Sequence, residues 1–309
     1  MSPRANKRAD GPSGLLLVDK PEGVTSAGVV ARVRRVLGGV KAGHAGTLDP
    51  FATGLLPLCL GEGTKLATYL TETGKTYEGV IRLGVVTDTD DATGKILRTA
   101  PVEEIREEAL AALLDELSGE IGQVPPAYSA IKRGGRPMYE LARRGEAVEL
   151  DARPVTIHRL ELELEGTDRL RVSIDCSKGF YVRSLARDIG EKLGCGAMLE
   201  SLRRTRVGNF SVEDALALAT IMDEPDGAAR ACEAVIPMLE AIGHLRKFTV
   251  GADDAADLRL GRQQVLVRLG AAGPAGERVR LAVGEELVAV AVAKDRSWTL
   301  ERVFAALTT

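Results

Sequence analysis

Apolar residues fall in short runs along this chain, separated by turns rich in glycine and proline. Residues 15–18 are a continuous apolar run closed by Lys20-Pro21-Glu22-Gly23, which predicts a buried strand and a turn. Val29, Val30, Val33, Val36 and Leu37 recur at helical spacing. Thr25 or Ser26 can cap that helix, and Gly38-Gly39 ends it. Residues 55–60 predict a second apolar strand, in which Pro57 restricts pairing. Residues 64–70 predict a short helix. Residues 75–83 are strand-like, with Tyr77, Gly79, Ile81 and Leu83 on one face. Residues 109–117 predict an amphipathic helix. Residues 155–164 and 170–176 flank Glu165-Gly166-Thr167-Asp168 and predict a hairpin. Residues 181–193 and 226–242 predict helices.

Residues 125–153 interrupt this pattern. They are rich in proline, glycine and basic side chains, with a helical turn or two around residues 139–143. A long polar insertion in a compact domain is usually functional or disordered. After Leu245 the texture changes again. Residues 264–269, 278–283, 287–293 and 298–304 predict short strands joined by Gly-rich turns, hence a small β-rich C-terminal domain. Helices mixed with hairpin-connected strands predict an α+β fold with a largely antiparallel mixed sheet. The expected division is a disordered basic tail over residues 1–13, a main domain over 14–244 carrying the insertion at 124–153, and the β-rich domain over 245–309.

Composition narrows the function classes. No apolar run among the 309 residues approaches a membrane span, and the basic N-terminus lacks the apolar core of a secretory signal. A cytoplasmic protein is expected. Cys59, Cys176, Cys195 and Cys232 are scattered, and His44, His158 and His244 lie far apart, so reduced thiols and no structural zinc are expected. Asp88-Thr89-Asp90-Asp91 reads as an exposed acidic turn rather than a metal site. The net charge of −3 is not that of a typical nucleic-acid binder. Its distribution matters more. Lys132, Arg133, Arg136, Arg143 and Arg144 form one basic cluster, and Lys178, Arg183, Arg187, Lys192, Arg203, Arg204 and Arg206 another. Acid concentrates in residues 103–120 and 161–168. This allows a basic face on an acidic protein, although solvated helix faces produce the same pattern.

The densest candidate chemistry is Gly43-His44-Ala45-Gly46-Thr47-Leu48-Asp49-Pro50-Phe51-Ala52-Thr53-Gly54. One carboxylate, Asp49, sits among small residues that let the backbone turn sharply and another molecule approach. Pro50 pushes Asp49 away from helical geometry. A rigid loop carrying a carboxylate and a histidine suits catalysis. An ordinary turn is the competing account, since Asp-Pro and Gly-Thr are common turn pairs.

Residues 44–54 resemble the signature of the TruB family, whose members isomerise the T-loop uridine of tRNA to pseudouridine. Four more blocks resemble family motifs in the same order: residues 14–26, Lys75-Thr76-Tyr77-Glu78, residues 123–132, and residues 176–185. The resemblance implies a pseudouridine synthase fold with helices flanking the sheet and a PUA-like C-terminal RNA-binding module. It implies the T arm of tRNA, position 55, as substrate, with no cofactor, no metal, no membrane and no obligate protein partner for a monomeric enzyme. It implies Asp49 as the catalytic carboxylate, whether it attacks the sugar, attacks the base or removes a sugar proton. Arg183 is implied to pair with Asp49, keeping it ionised and aimed; taken alone, it reads equally as a phosphate ligand on a helix surface. Tyr77 is implied to stack on the flipped uracil, with Tyr181 as a second wall and Leu202 lining the pocket; a strand tyrosine or leucine otherwise packs in a core. His44 is implied to fill the vacated base stack. Lys20 is placed to neutralise phosphate or to order the signature loop. The insertion with Lys132, Arg133, Arg136, Arg143 and Arg144, together with Arg203 and Arg204, is implied to grip RNA. A tRNA chaperone and an RNA-guided synthase of the dyskerin type are competing readings; the uninterrupted insertion favours a stand-alone enzyme.

Overall fold

A computed structural model describes residues 11–128, 132–133, 136–137 and 150–306. Of the tail expected over residues 1–13, residues 1–10 lie outside the described residues, as do the helical turns around 139–143; Ser13 Oγ accepts from the Glu62 N–H at 3.1 Å. In chain order the strands are β1 (Gly14–Lys20), β2 (Ala42–His44), β3 (Thr53–Leu60), β4 (Lys75–Leu83), β5 (Val85–Thr87), β6 (Ile96–Thr99), β7 (Gly119–Gln123), β8 (Lys132–Arg133) and β9 (Arg136–Pro137). They continue as β10 (Arg153–Glu165), β11 (Arg169–Cys176), β12 (Ala197–Val207), β13 (Phe210–Ser211), β14 (Leu216–Ala217), β15 (Arg246–Thr249), β16 (Arg278–Val283), β17 (Glu286–Lys294) and β18 (Ser297–Val303). The chain forms two compact units. One is built from Asp49–Leu55 and Thr73–Glu213; the other from the chain up to Leu48, Leu56–Glu72 and everything from Asp214 onward.

In the first of these units the sheet runs from the start of β3 through β12, β4, β11 and β10 to β7. β12 lies parallel to β3, and the remaining pairs are antiparallel, so the sheet is mixed and largely antiparallel as expected. Ile81, Leu83, Leu170, Val172, Ile174 and Leu199 are among its buried apolar positions. The helix Val182–Lys192 packs along β12 through Leu185, Ala186 and Ile189.

β12 is an element that periodicity did not predict. Its pairing with β4 shifts register between Leu199 and Ser201 and again between Arg204 and Arg206. Each shift moves the buried phase by one residue, so Ala197, Leu199, Leu202, Arg204 and Val207 are buried in a pattern no simple alternation produces. Gly54, the last residue of the signature loop, meets this strand. Its φ is 101°, and a Cβ there would stand 2.3 Å from the Arg204 carbonyl oxygen and 2.8 Å from the Arg204 nitrogen.

In the other unit β14, β1 and β3 are neighbours, and β2 pairs with β3. The helix Ser26–Val36 buries Val29 and Val33 against Leu16, Val18, Leu56 and Leu58. A second sheet, β15-β16-β17-β18, occupies the C-terminal region around Leu281, Ala289, Ala291 and Trp298. It is bonded within this unit to the 3-10 helix Gly61–Leu66: Lys65 Nζ donates to the Val303 carbonyl (3.0 Å), and the Ala305 N–H donates to the Glu62 carboxylate (3.0 Å). Two expectations change here. The apolar run at 264–269 is part of a 3-10 helix, Gln263–Leu269, not a strand. The predicted helix over 226–242 is two helices, Gly227–Glu233 and Met238–Ala241, because Pro237 cannot continue the first. Among the described residues no helix is long and apolar enough to cross a membrane.

Two outcomes follow. Gly54→Ala should lower the melting temperature by about 5–10 °C in circular dichroism, because the added methyl meets backbone rather than a movable side chain. Gly23→Ala, at a φ of 78° with no atom within 4 Å of the new methyl, should cost only about 1 kcal/mol of backbone strain. An equal loss in both variants would show that the close approach of β12 contributes nothing. Burial pushes the thiols of Cys59 and Cys176 up to about 12, so both stay protonated at neutral pH. A thiol reagent at about pH 8 should modify the exposed Cys232 first and reach Cys59 and Cys176 only on unfolding.

Candidate active site

A buried hydroxyl holds the residue that precedes Asp49. Ser26 Oγ donates to the Leu48 carbonyl and accepts from the Leu48 N–H, both at 2.9 Å. Thr25, not Ser26, caps the helix, accepting from the Gly28 N–H at 2.9 Å. Beyond Asp49 the chain closes a turn in which the Ala52 N–H donates to the Asp49 carbonyl (3.1 Å). Pro50, with its φ fixed by the ring, fits the second position of that turn.

Arg183 faces Asp49. Its Nε lies 2.9 Å from Asp49 Oδ2, and its side chain is only 6 % exposed against 35 % for that of Asp49. A guanidinium has five donors and no acceptor, so burial demands several oxygens around it. Three further groups supply them. Arg183 Nη1 donates to the Thr89 carbonyl (3.1 Å) and lies 3.6 Å from Asp91 Oδ2; Nη2 donates to the Tyr128 carbonyl (2.9 Å). Asp91 is itself buried and locked. Its Oδ1 accepts from Thr89 Oγ1 (2.7 Å), the Thr93 N–H (3.0 Å) and Thr93 Oγ1 (2.6 Å). The expectation of an exposed acidic turn is therefore corrected at Asp91, which is 4 % exposed. Asp90 adopts a left-handed φ of 61°, a conformation aspartate tolerates, and pairs with Arg187 at 3.2 Å. Arg183 and Arg187 stand one helical turn apart, so two consecutive acids meet two consecutive turns of one helix. Burial raises the Asp90 carboxyl pKa, against the opposing charges of Arg187 and Arg183.

The start of that helix is held from β7. Gln123, 2 % exposed, accepts from the Tyr181 N–H (2.8 Å) through its amide oxygen and donates to the Tyr181 carbonyl (3.0 Å) through its nitrogen. Ser184 Oγ and Arg187 Nη2 both donate to the Val124 carbonyl, at 2.8 and 2.9 Å. The segment that opens the insertion is thus bonded to the helix carrying Arg183. Gln123 opens the block at residues 123–132, yet its bonds to Tyr181 have no local sequence signal.

Tyr77 lies in β4, directly opposite Arg204 of β12. Burial raises its phenol pKa; the charge of Arg204 and a hydrogen bond from Arg204 lower it, and nearby Asp49 raises it. The phenol is neutral at physiological pH. Arg204 is 1 % exposed, and its Nε donates to the Leu55 carbonyl at 2.8 Å. Its expected place on an RNA-facing cluster is corrected: neighbouring strand residues point to opposite faces, so Arg203 and Arg204 do not share a surface. Arg203 is the half-buried member, with Nη1 3.5 Å from Thr53 Oγ1. Leu202 is 9 % exposed, on the same buried phase as Arg204.

The other expected residues are placed as follows. Lys20 is fully buried, and its ammonium donates to the Pro21 carbonyl (2.9 Å) and the Val24 carbonyl (2.8 Å), ordering its own turn. A phosphate role for Lys20 is corrected by that burial. His44 ends β2, opposite Leu58 of β3. The side chains of Lys132, Arg133 and Arg136, and all of Arg143 and Arg144, lie outside the described residues.

Comparison with known proteins gives this geometry a context. Residues 34–182 match the TruB family pseudouridylate synthase N-terminal domain, and residues 183–242 match the tRNA pseudouridylate synthase B C-terminal domain. The tRNA pseudouridine synthase B of Aromatoleum aromaticum is 48% identical over 275 residues, spanning 88% of each chain. That of Pseudomonas putida F1 is 53% identical over 207 residues, 67% of each chain. Among solved structures, a chain in the crystal structure of a Cbf5-Nop10-Gar1 complex superposes with a TM-score of 0.73 at 28% identity, covering 95% of this chain and 85% of that one. The mixed sheet and the smaller C-terminal sheet are those of the pseudouridine synthase fold. The chain belongs to the TruB family of pseudouridylate synthases, and its activity is the isomerisation of uridine to pseudouridine in tRNA.

Proposed function

We propose that the enzyme acts on the T-loop uridine of tRNA, position 55, with Asp49 as its catalytic carboxylate. The reaction breaks the N1–C1′ bond, turns the uracil and joins C5 to C1′; a proton leaves C5 and one is gained at N1. The observation that carries the reading is the 2.9 Å pair between Asp49 and the buried Arg183. A guanidinium at that distance favours the carboxylate form and fixes the direction of its lone pairs. Tyr77 offers an aromatic face for the flipped base and a neutral hydroxyl beside the reacting atoms, and Tyr181 and Leu202 complete the apolar lining. His44, five residues before Asp49, fills the stack that the flipped base leaves. Lys132, Arg133, Arg136, Arg143 and Arg144 of the insertion grip the T-arm phosphates, with Arg203 as a further contact. The β-rich region from residue 245 is a PUA-like module that adds tRNA contacts, and the enzyme works as a monomer without a protein partner or cofactor.

Mapping of pseudouridine in a tRNA transcript after incubation with purified protein tests the substrate; modification anywhere but the T-loop uridine overturns it. Asp49→Asn should abolish single-turnover conversion of a T-arm stem-loop while leaving filter binding within about twofold of wild type. A rate within about tenfold of wild type would remove Asp49 from the chemistry. Asp91→Asn should lower the rate without weakening RNA binding, since it disturbs Arg183 rather than a phosphate contact. Replacing Lys132, Arg133 and Arg136 with alanine should flatten the dependence of log affinity on log salt by about one to three released counterions; an unchanged slope means that this cluster does not touch phosphate.

A further inference from the structure

Among the described residues Arg204 is the largest side chain with almost no exposed surface, and the chemistry described above does not use it. It sits on β12 between two register shifts, which turn both it and Leu202 toward the buried face. Directly across the strand pair is Tyr77, whose phenol oxygen receives a hydrogen bond from the guanidinium. Across the other edge of β12, Arg204 is paired with Gly54, and its Nε donates to the carbonyl of Leu55, the next residue, at 2.8 Å. One rigid planar fork therefore spans from the end of the signature segment to the tyrosine.

We propose that Arg204 is a positioning residue that acts through Tyr77, occupying the phenol oxygen as an acceptor so that the phenolic O–H is committed as a donor toward the reacting nucleoside. The inference rests on the reading of Tyr77 given under the proposed function. A guanidinium can only donate, so the phenol oxygen must accept from it. The single phenolic proton is then left for another acceptor. The Leu55 carbonyl holds the guanidinium plane, which restricts the direction from which the phenol is engaged. The positive charge also works against the rise in phenol pKa that burial imposes, which strengthens the O–H as a donor while leaving it neutral. A lysine could supply charge at this position but could not bond both Leu55 and Tyr77 in one plane.

The test is a double-mutant cycle with Tyr77→Phe and Arg204→Met, read by single-turnover conversion of a T-arm stem-loop and by its filter binding. Arg204→Met should slow conversion by about tenfold or more with binding within about twofold of wild type, and should add less than about twofold to the loss already caused by Tyr77→Phe. Losses that multiply in the double variant would mean that Arg204 acts independently of Tyr77, which overturns this inference alone. A Tyr77→Phe variant at the wild-type rate would sink the tyrosine's role and this inference with it. Since Arg204→Met can fail to fold, the second measurement uses Arg204→Lys and 13C-labelled tyrosine in the intact enzyme. The Cζ resonance that disappears in Tyr77→Phe should titrate at a different pH in Arg204→Lys than in wild type. An identical titration, or a rate in Arg204→Lys equal to wild type, overturns the proposal.

Discussion

Taking a guanidinium out of water costs several kcal/mol unless oxygens surround it in good geometry. The Arg183 side chain is 6 % exposed, and the unit that holds it is arranged to meet that cost. The Asp49 and Asp91 carboxylates and the carbonyls of Thr89 and Tyr128 converge on one planar group. Four chain segments far apart in sequence are brought to a single point by this requirement. The left-handed residue at Asp90, the threonines that lock Asp91 and the Gln123 clasp on Tyr181 then read as parts of one support. Of the two carboxylates, that of Asp49 is far the more exposed, so the network holds it at the guanidinium without enclosing it.

This arrangement also separates two kinds of arginine that look alike in the sequence. Arg183 is surrounded by two carboxylates and two carbonyls, and its charge is matched locally. Arg204 is bonded to a carbonyl and a phenol, so its effect passes to a neutral aromatic group. The first stands 2.9 Å from the Asp49 carboxylate, the second against a phenol.

Much of the scaffold was legible in the residues. The run before Lys20, the helix after Thr25, the alternation through Tyr77 to Leu83 and the hairpin around Gly166 each follow a short-range period, and the structure holds them. The family motifs pointed to Asp49 and Arg183, and the two stand in contact. What could not be read depended on tertiary context. β12 hid because two register shifts break its alternation. With that strand unrecognised, Arg203 and Arg204 looked like one basic surface. Asp91 looked solvated because four polar residues in a row usually are; its bonds to Thr89 and Thr93, its bridge to Leu199 and its approach to Arg183 are features of the fold that no local pattern carries. The run at 264–269 is apolar and short, and such a run does not distinguish a strand from a 3-10 turn.

The hydrogen bond from Arg204 to Leu55 joins residues 149 positions apart. A ribosome releases Asp49–Leu55 early, yet their partners in the sheet and their counter-ion on the later helix do not exist until most of the chain has emerged. The other unit is likewise closed by its last strand, β18, whose Val303 carbonyl bonds Lys65. Neither unit can finish from its N-terminal part, so the nascent polypeptide must keep β4 unpaired until its partners β11 and β12 emerge. Contacts this distant in sequence make for slow folding and a long exposure to misassembly. The long-range pairing that brings Arg183 to Asp49 therefore also leaves the growing chain with exposed apolar surface, the kind that chaperones and proteases act on.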